Sequence, residues 1–206
     1  MEEQVQRKKI ARGFFSDSFI RLFRGIFLPV SRMLKLLGVT PNTVTYTSFL
    51  MGIVTGVLFG LDHLYLGLAV GIVMGLMDII DGQLAKDFGG TTRFGGVLDS
   101  TIDRYNEFFL FAGLGYRYFV LGRPGWIALC ALAFLGSVMV SYVKSRAEAA
   151  GFECKVGLFQ RPERLAFLGA CLLFGSAGAD TAVAVLAIAT QYTVLTRLTH
   201  VWRQSR

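Results

Sequence analysis

Asp78, Asp81, Asp99 and Asp103 lie within one 26-residue stretch, in the run MGLMDIIDGQLAKDFGGTTRFGGVLDSTIDRY, amid sequence apolar enough to span a bilayer. Carboxylates at bilayer depth are expensive, so four of them together call for a cation. On a helix, Asp78, Asp81, Gly82 and Ala85 are spaced i, i+3, i+4 and i+7 and share one face; Gly95, Asp99 and Asp103, at i, i+4 and i+8, share another. The intervening DFGGTTRF lets two such helices run antiparallel as neighbours, so the stripes can meet. An all-oxygen donor set suits Mg²⁺, Mn²⁺ or Ca²⁺ rather than zinc or copper. Two such ions would neutralise four carboxylates, and a two-ion site is the usual answer to a diphosphate or phosphodiester, whose nonbridging oxygens the ions hold. Gly82, Ala85 and Gly95 would leave room for that substrate, while Lys86, Arg93 and Arg104 are too few to neutralise the cluster by ion pairing.

The surrounding composition says where these helices sit. Of 206 residues, 53% are hydrophobic and 17% charged, too apolar for an ordinary soluble domain of this length. The net charge of +7 does not indicate a nucleic-acid partner, because Lys and Arg gather at the ends of apolar runs, the pattern of membrane orientation and anionic lipid contact. Cys130, Cys154 and Cys171 show neither CxxC spacing nor a disulfide framework, and His63 and His200 have no ligand-like companion. No cleavable signal peptide is expected from the polar, basic start MEEQVQRKKIARGFFSDSF.

The predicted fold is an all-α integral membrane protein, a single domain over 1–206, with a cytoplasmic leader and interfacial amphipathic helix in 1–40 and six transmembrane helices in 41–206. In SDSFIRLFRGIFLPVSRMLKLLG, residues Phe19, Ile20, Leu22, Phe23, Ile26, Phe27 and Leu28 segregate from Arg21, Arg24 and Arg32, so a helix broken near Pro29 should lie along the membrane surface. After the turn GVTPNT, in which Asn42 and Thr45 read as a helix start, six apolar runs follow at 43–61, 64–86, 94–121, 124–148, 163–178 and 180–202. With both termini in the cytoplasm, 18 of the 21 Lys and Arg residues fall inside; Arg117 and Arg123 fall outside and Arg104 lies within the third run. The aspartates are thereby expected on the cytoplasmic side of a multi-pass protein of the cell (inner) membrane.

The run Asp78-x2-Asp81-Gly82-x2-Ala85-Lys86-x8-Gly95-x3-Asp99-x3-Asp103 resembles the signature of the CDP-alcohol phosphatidyltransferase family, departing from it at Lys86, where the family pattern has Arg. A lysine keeps the charge but gives up bidentate phosphate contact. The resemblance implies a six-span membrane enzyme, typically a homodimer, that moves a phosphoryl-alcohol group from a CDP-linked donor to a hydroxyl and releases CMP, using two Mg²⁺ or Mn²⁺ ions. It implies metal ligation by Asp78, Asp81, Asp99 and Asp103, with Asp103 also the catalytic base, and a CDP site made of Asp78, Asp81, Gly82, Ala85, Lys86 and Gly95. TPNTVT also resembles the family's entry to the first span, which makes contact of Asn42 or Thr45 with nucleotide or metal the alternative to a plain helix start. One helical turn from Asp99, Asp103 can take the proton of an attacking alcohol without a covalent enzyme intermediate.

A second polar segment, SYVKSRAEAAGFECKVGLFQRPERL, places Ser141, Lys144, Arg146, Arg161 and Arg164 on the same expected membrane face. Lys155 and Arg161 also fit plain positive-inside anchoring. SYVKSRAE followed by RPER is similar to family members that make phosphatidylinositol phosphate, which implies that Ser141, Lys144, Arg146 and Arg164 bind a polar, phosphorylated acceptor; cations suit phosphate chemically. Arg203 and Arg206 are further cations that could approach the acceptor. The expected function is therefore transfer of a phosphatidyl group from CDP-diacylglycerol or a related CDP-lipid to inositol phosphate. The alternatives are glycerol 3-phosphate as acceptor, as in phosphatidylglycerophosphate synthases, and, from another class, a divalent-cation transporter. Clustering of the aspartates at one edge disfavours a transporter. Intramembrane prenyltransferases, whose two acidic motifs lie far apart in longer chains, fit the compact 26-residue motif poorly.

Overall fold

A computed structural model describes residues 17–87, 91–157 and 159–206, with side chains from residue 26 onward. The first 16 residues of the expected leader and the centre of the DFGGTTRF connection lie outside the described residues. The described chain is helical throughout: α1 (Asp17–Leu36), α2 (Pro41–Gly60), α3 (Leu64–Asp87), α4 (Arg93–Val120), α5 (Pro124–Ala149), α6 (Arg161–Leu172) and α7 (Gly175–Gln204). They form two compact units, Asp17–Ile127 and Ala128–Arg206, described here in turn. Four helices, α2, α3, α5 and α7, are long and apolar enough to cross a membrane. This is a membrane protein.

In the first unit, α1 runs helical through Pro29 without the expected break. Proline removes one intrahelical donor, but packing on both sides of it outweighs that loss. Phe27 and Leu34 pack against the buried Val44, Ile80 and Leu84, and between them Ser31 Oγ donates to Gln83 Oε1 at 3.2 Å. Ile26, Val30, Met33 and Leu36 stay exposed, as does Arg32. The separation expected of Phe19, Ile20, Leu22 and Phe23 from Arg21 and Arg24 lies outside the described side chains.

Helix starts follow the local chemistry of the sequence. Thr40 takes extended backbone angles and accepts a bond from the Thr43 N–H, with Pro41 supplying the first helical φ of α2. Thr92 does the same for α4, accepting from the Gly95 N–H at 2.8 Å. The turns at the other end of the unit are twins: His63 N–H bonds Leu58 O at 2.9 Å and Arg123 N–H bonds Tyr118 O at 2.9 Å. The left-handed residue is Gly122 in one and Asp62 in the other, at φ +66 and +63. Asp62 is a residue that tolerates this conformation, and its carboxylate accepts a bond from the buried Arg117 of α4. Arg123 stacks over Trp126 and Tyr118, whose rings lie 5.3 Å apart.

α2 and α4 touch through their backbones. A Cβ built on Gly113 would fall 2.1 Å from Gly56 O, and one on Gly56 would fall 2.5 Å from Phe109 O. Close approach through small residues is how helices associate where burial from water supplies no drive.

In the second unit, α6 has only 12 residues. At about 1.5 Å per residue it reaches roughly 18 Å, short of the about 30 Å of a hydrocarbon core, so the run expected over 163–178 ends early at Leu172. The reason lies in FGSAG: Gly175 turns the chain at φ +64, and Gly178 lies so close to Cys171 O that a Cβ there would meet it at 1.7 Å. α7 therefore starts at Gly175, ahead of the expected 180.

The Gly56–Gly113 contact sets a first test. Gly113→Ala should lower thermal stability in detergent by about 1–3 kcal/mol, the usual range for overpacking. An unchanged melting temperature would mean that the two helices separate without cost.

Candidate active site

α3 and α4 bring their carboxylates together within the first unit. Asp78, Asp99 and Asp103 each offer an oxygen within 4.8 Å of the others; Asp78 and Asp99 are half-buried and Asp103 is buried. The two stripes read from helical periodicity therefore meet. Oxygens on one Mg²⁺ sit at most about 4.2 Å apart, since each is about 2.1 Å from the ion. Small side-chain rotations would close this trio on one divalent cation, and an all-carboxylate donor set suits a hard metal better than a soft one.

Asp81, also buried, stands outside that trio. Its Oδ2 accepts a 2.7 Å hydrogen bond from the Thr45 hydroxyl of α2, whose second possible acceptor, Pro41 O, is farther at 3.1 Å. The carboxylate is the shorter and stronger partner for a single hydroxyl proton. Thr45, which reads in the sequence as part of a helix start, thus joins α2 to the acidic motif of α3. Next to Asp81, Gln83 ties the same turn of α3 to Ser31 of α1.

Gly82 faces open space, since a Cβ there would meet nothing within 4 Å. At Gly95 the room is already taken: a Cβ would lie 2.9 Å from Thr92 Oγ1 and 3.3 Å from Asn42 Oδ1. Ala85 is half-buried, and Lys86 is exposed in the last turn of α3, where a cation complements the helix dipole. Arg104 Nη1 donates to Asp103 Oδ2 at 3.2 Å and to Ser100 O at 3.0 Å, so one cation from the motif does bind one of its carboxylates.

Glu107 escaped the sequence reading although its signal was there. It continues the Asp99, Asp103 spacing by one more turn, to i+8, and is 2% exposed. Asn106 beside it is equally buried and lies against Gly52.

The basic segment belongs to the second unit, and its members differ in kind. Lys144 is half-buried and Arg146 exposed, with Lys144 Nζ 3.9 Å from Glu148 Oε1. The Ser141 hydroxyl lies 3.5 Å from Ser137 O. Arg164 is buried and donates to Phe159 O at 3.0 Å, in the turn that Gln160 and Glu163 cap. Sequence reasoning missed Arg197 of α7, buried among the same elements, which donates to Val156 O at 2.9 Å and to Val140 O. Arg203 is exposed and Arg206 stacks over Trp202. Cys154 is fully buried, and that burial pushes its thiol above its ordinary pKa, which disfavours the thiolate.

Membrane helices that converge three carboxylates, with an open glycine on one of them, fit phosphate-ester chemistry at a hard-metal site. The chain belongs to the CDP-alcohol phosphatidyltransferase family, whose pattern matches residues 38–198. It is an enzyme that transfers substituted phosphate groups. A phosphatidylinositol phosphate synthase of Mycobacteroides abscessus is 37% identical over 183 residues, covering 85% of this chain and 83% of that one. The crystal structure of the Mycobacterium tuberculosis phosphatidylinositol phosphate synthase with CDP-DAG bound matches with a TM-score of 0.78 at 31% identity, over 88% of this chain and 94% of the other. The same enzyme in complex with manganese and citrate gives a TM-score of 0.76 at 32% identity, over 84% and 88%.

The Thr45 bond sets a second test. Thr45→Val removes a hydrogen bond to a charged acceptor, worth about 1.5–3 kcal/mol. The Mn²⁺ concentration for half-maximal activity should rise about tenfold, with Thr45→Ser restoring it; an unchanged metal requirement would show that Asp81 needs no such support.

Proposed function

We propose that this chain is a phosphatidylinositol phosphate synthase: it transfers a phosphatidyl group from CDP-diacylglycerol to a hydroxyl of inositol phosphate and releases CMP. The observation that carries the reading is the trio Asp78, Asp99 and Asp103, set on the signature of a family in which a relative of 37% identity bears that activity in its name. The basic segment supports the acceptor, since two or three cations suit a phosphorylated polyol.

In this reading Asp78, Asp81, Asp99 and Asp103 hold two Mg²⁺ or Mn²⁺ ions. When bound, the metal supplies charge neutralisation for the diphosphate and for the leaving CMP oxygen. Gly82, Ala85 and Lys86, with Asp78 and Asp81, receive the CDP moiety, which the open space at Gly82 admits, while Gly95 borders it through the Thr92 and Asn42 side chains that fill the space beside it. Lys86 serves as a point charge toward phosphate in place of the family's arginine. Asp103 takes the proton from the acceptor hydroxyl as its oxygen bonds to the lipid-linked phosphorus and the bond from that phosphorus to CMP breaks. Arg104 grips Asp103 Oδ2 and fixes the plane of the carboxylate for that transfer. Ser141, Lys144, Arg146 and Arg164 receive the acceptor phosphate.

The same reading has α4 as a further full crossing and α6, short of a crossing by itself, filling the place of the sixth, with both termini and the site facing the cytoplasm of a cell-membrane protein, an orientation that puts 18 of 21 Lys and Arg inside. α4 is long enough to cross, and its charges lie on the site face or against Asp62. α1 lies at the interface with Ile26, Val30, Met33 and Leu36 toward lipid. Residues 1–206 work as one domain, and family resemblance supports a homodimer.

Purified protein with Mg²⁺ or Mn²⁺, CDP-diacylglycerol and a panel of acceptors should release CMP with inositol phosphate in preference to glycerol 3-phosphate. No CMP with any acceptor, together with ion flux in liposomes, would sink the reading. Asp103→Asn should reduce kcat at least about 100-fold, the range of a lost general base, while sparing CDP-lipid binding. A near-normal kcat would move the base elsewhere.

A further inference from the structure

α7 presents Thr193, Arg197 and Gln204 at i, i+4 and i+11, one face of the helix. The connection from α5 to α6 runs along that face. Gly157, at φ +118, sits so close that a Cβ would fall 2.5 Å from Thr193 Cγ2, and Arg197 holds Val156 O at 2.9 Å. Two turns further along α7, Gln204 Oε1 accepts from the Glu153 N–H at 3.1 Å while its Nε2 donates to Glu153 O at 2.6 Å. Between these contacts Cys154 is fully buried.

The polar contacts that Arg197 and Gln204 of α7 make with this strap fall on its backbone. Gln204 pairs with both polar backbone groups of one residue, as a neighbouring strand would, and takes over hydrogen bonds that a loop otherwise gives to water. Exposed side chain-to-backbone bonds of this kind are worth little to global stability, because water competes for each partner. Their consequence is local: they fix where the connection runs. That connection leaves α5 after Lys144 and Arg146 and enters α6 at Arg161 and Arg164, so its path sets how the two pairs of cations are presented.

We propose that Gln204 is a positioning residue for the acceptor, clamping the α5–α6 strap through Glu153 so that the basic side chains flanking it are held ready for a phosphorylated alcohol. The proposal rests on the acceptor reading given above. Gln204 touches no reacting atom; it acts by removing the strap's freedom, so that less of it has to be lost when the acceptor binds.

The test uses the full chain in detergent or nanodiscs. Gln204→Ala should speed hydrogen exchange at the Glu153 amide about tenfold and raise the KM for inositol phosphate about fivefold. The kcat and the KM for CDP-diacylglycerol should stay within about twofold, since none of the strap's contacts with α7 involves a donor-site residue. Gln204→Glu keeps the oxygen that accepts from Glu153 N–H and loses the amide donor, so it should protect that amide better than alanine does and fall between the two in acceptor KM. An unmoved acceptor KM in Gln204→Ala, or an equal loss in kcat and both KM values that follows a drop in melting temperature, overturns the proposal. Wild-type protein that turns over no inositol phosphate sinks the acceptor reading and the proposal with it, whereas turnover with an unmoved KM sinks the proposal alone.

Discussion

Three carboxylate oxygens within 4.8 Å of one another repel, and burial removes the water that would screen them. Everything in the first unit bears on that constraint. α3 and α4 carry the acidic groups, α2 touches both helices, and none of the three can move far without opening or collapsing the trio. A divalent cation resolves the repulsion, and it does so where a diphosphate also needs one. The same mutual repulsion thus suits the trio to a hard divalent metal.

Two kinds of contact hold that arrangement. At one end α2 meets α4 through Gly56 and Gly113, with the Asp62–Arg117 pair fastening the turn into α3 onto the end of α4. At the other, Thr45 reaches from α2 to Asp81, and Ser31 from α1 to Gln83. α2 is therefore more than a membrane anchor. It sets the spacing of the helices and hydrogen-bonds one of the signature aspartates directly.

Helical periodicity made the acidic stripes, their meeting between α3 and α4 and most helix boundaries legible in the sequence. Continuity through Pro29 was not, because it depends on packing of Phe27 and Leu34 against α2 and α3, which no local pattern encodes. Nor was the early end of α6: hydropathy runs on across FGSAG, while the turn there depends on backbone approach between Cys171 and Gly178. Thr45 read as a cap-region residue since its partner is 36 positions away. Arg197 counted only as an inside-facing charge and Gln204 carried no signal, because their partners are backbone groups far off in the sequence. Glu107 was legible at i+8 from Asp99 and was passed over as a residue beyond the motif.

The central claim is that the carboxylates of α3 and α4 form one metal site built for the diphosphate of a CDP-lipid. Titration of the purified protein with Mn²⁺, following the free-ion signal by electron paramagnetic resonance with and without CDP-diacylglycerol, tests it most directly. Wild-type protein should bind Mn²⁺ saturably and more tightly with the CDP-lipid present, and Asp99→Asn should lose both effects. Equal Mn²⁺ binding by wild type and Asp99→Asn, untouched by the CDP-lipid, would contradict the account.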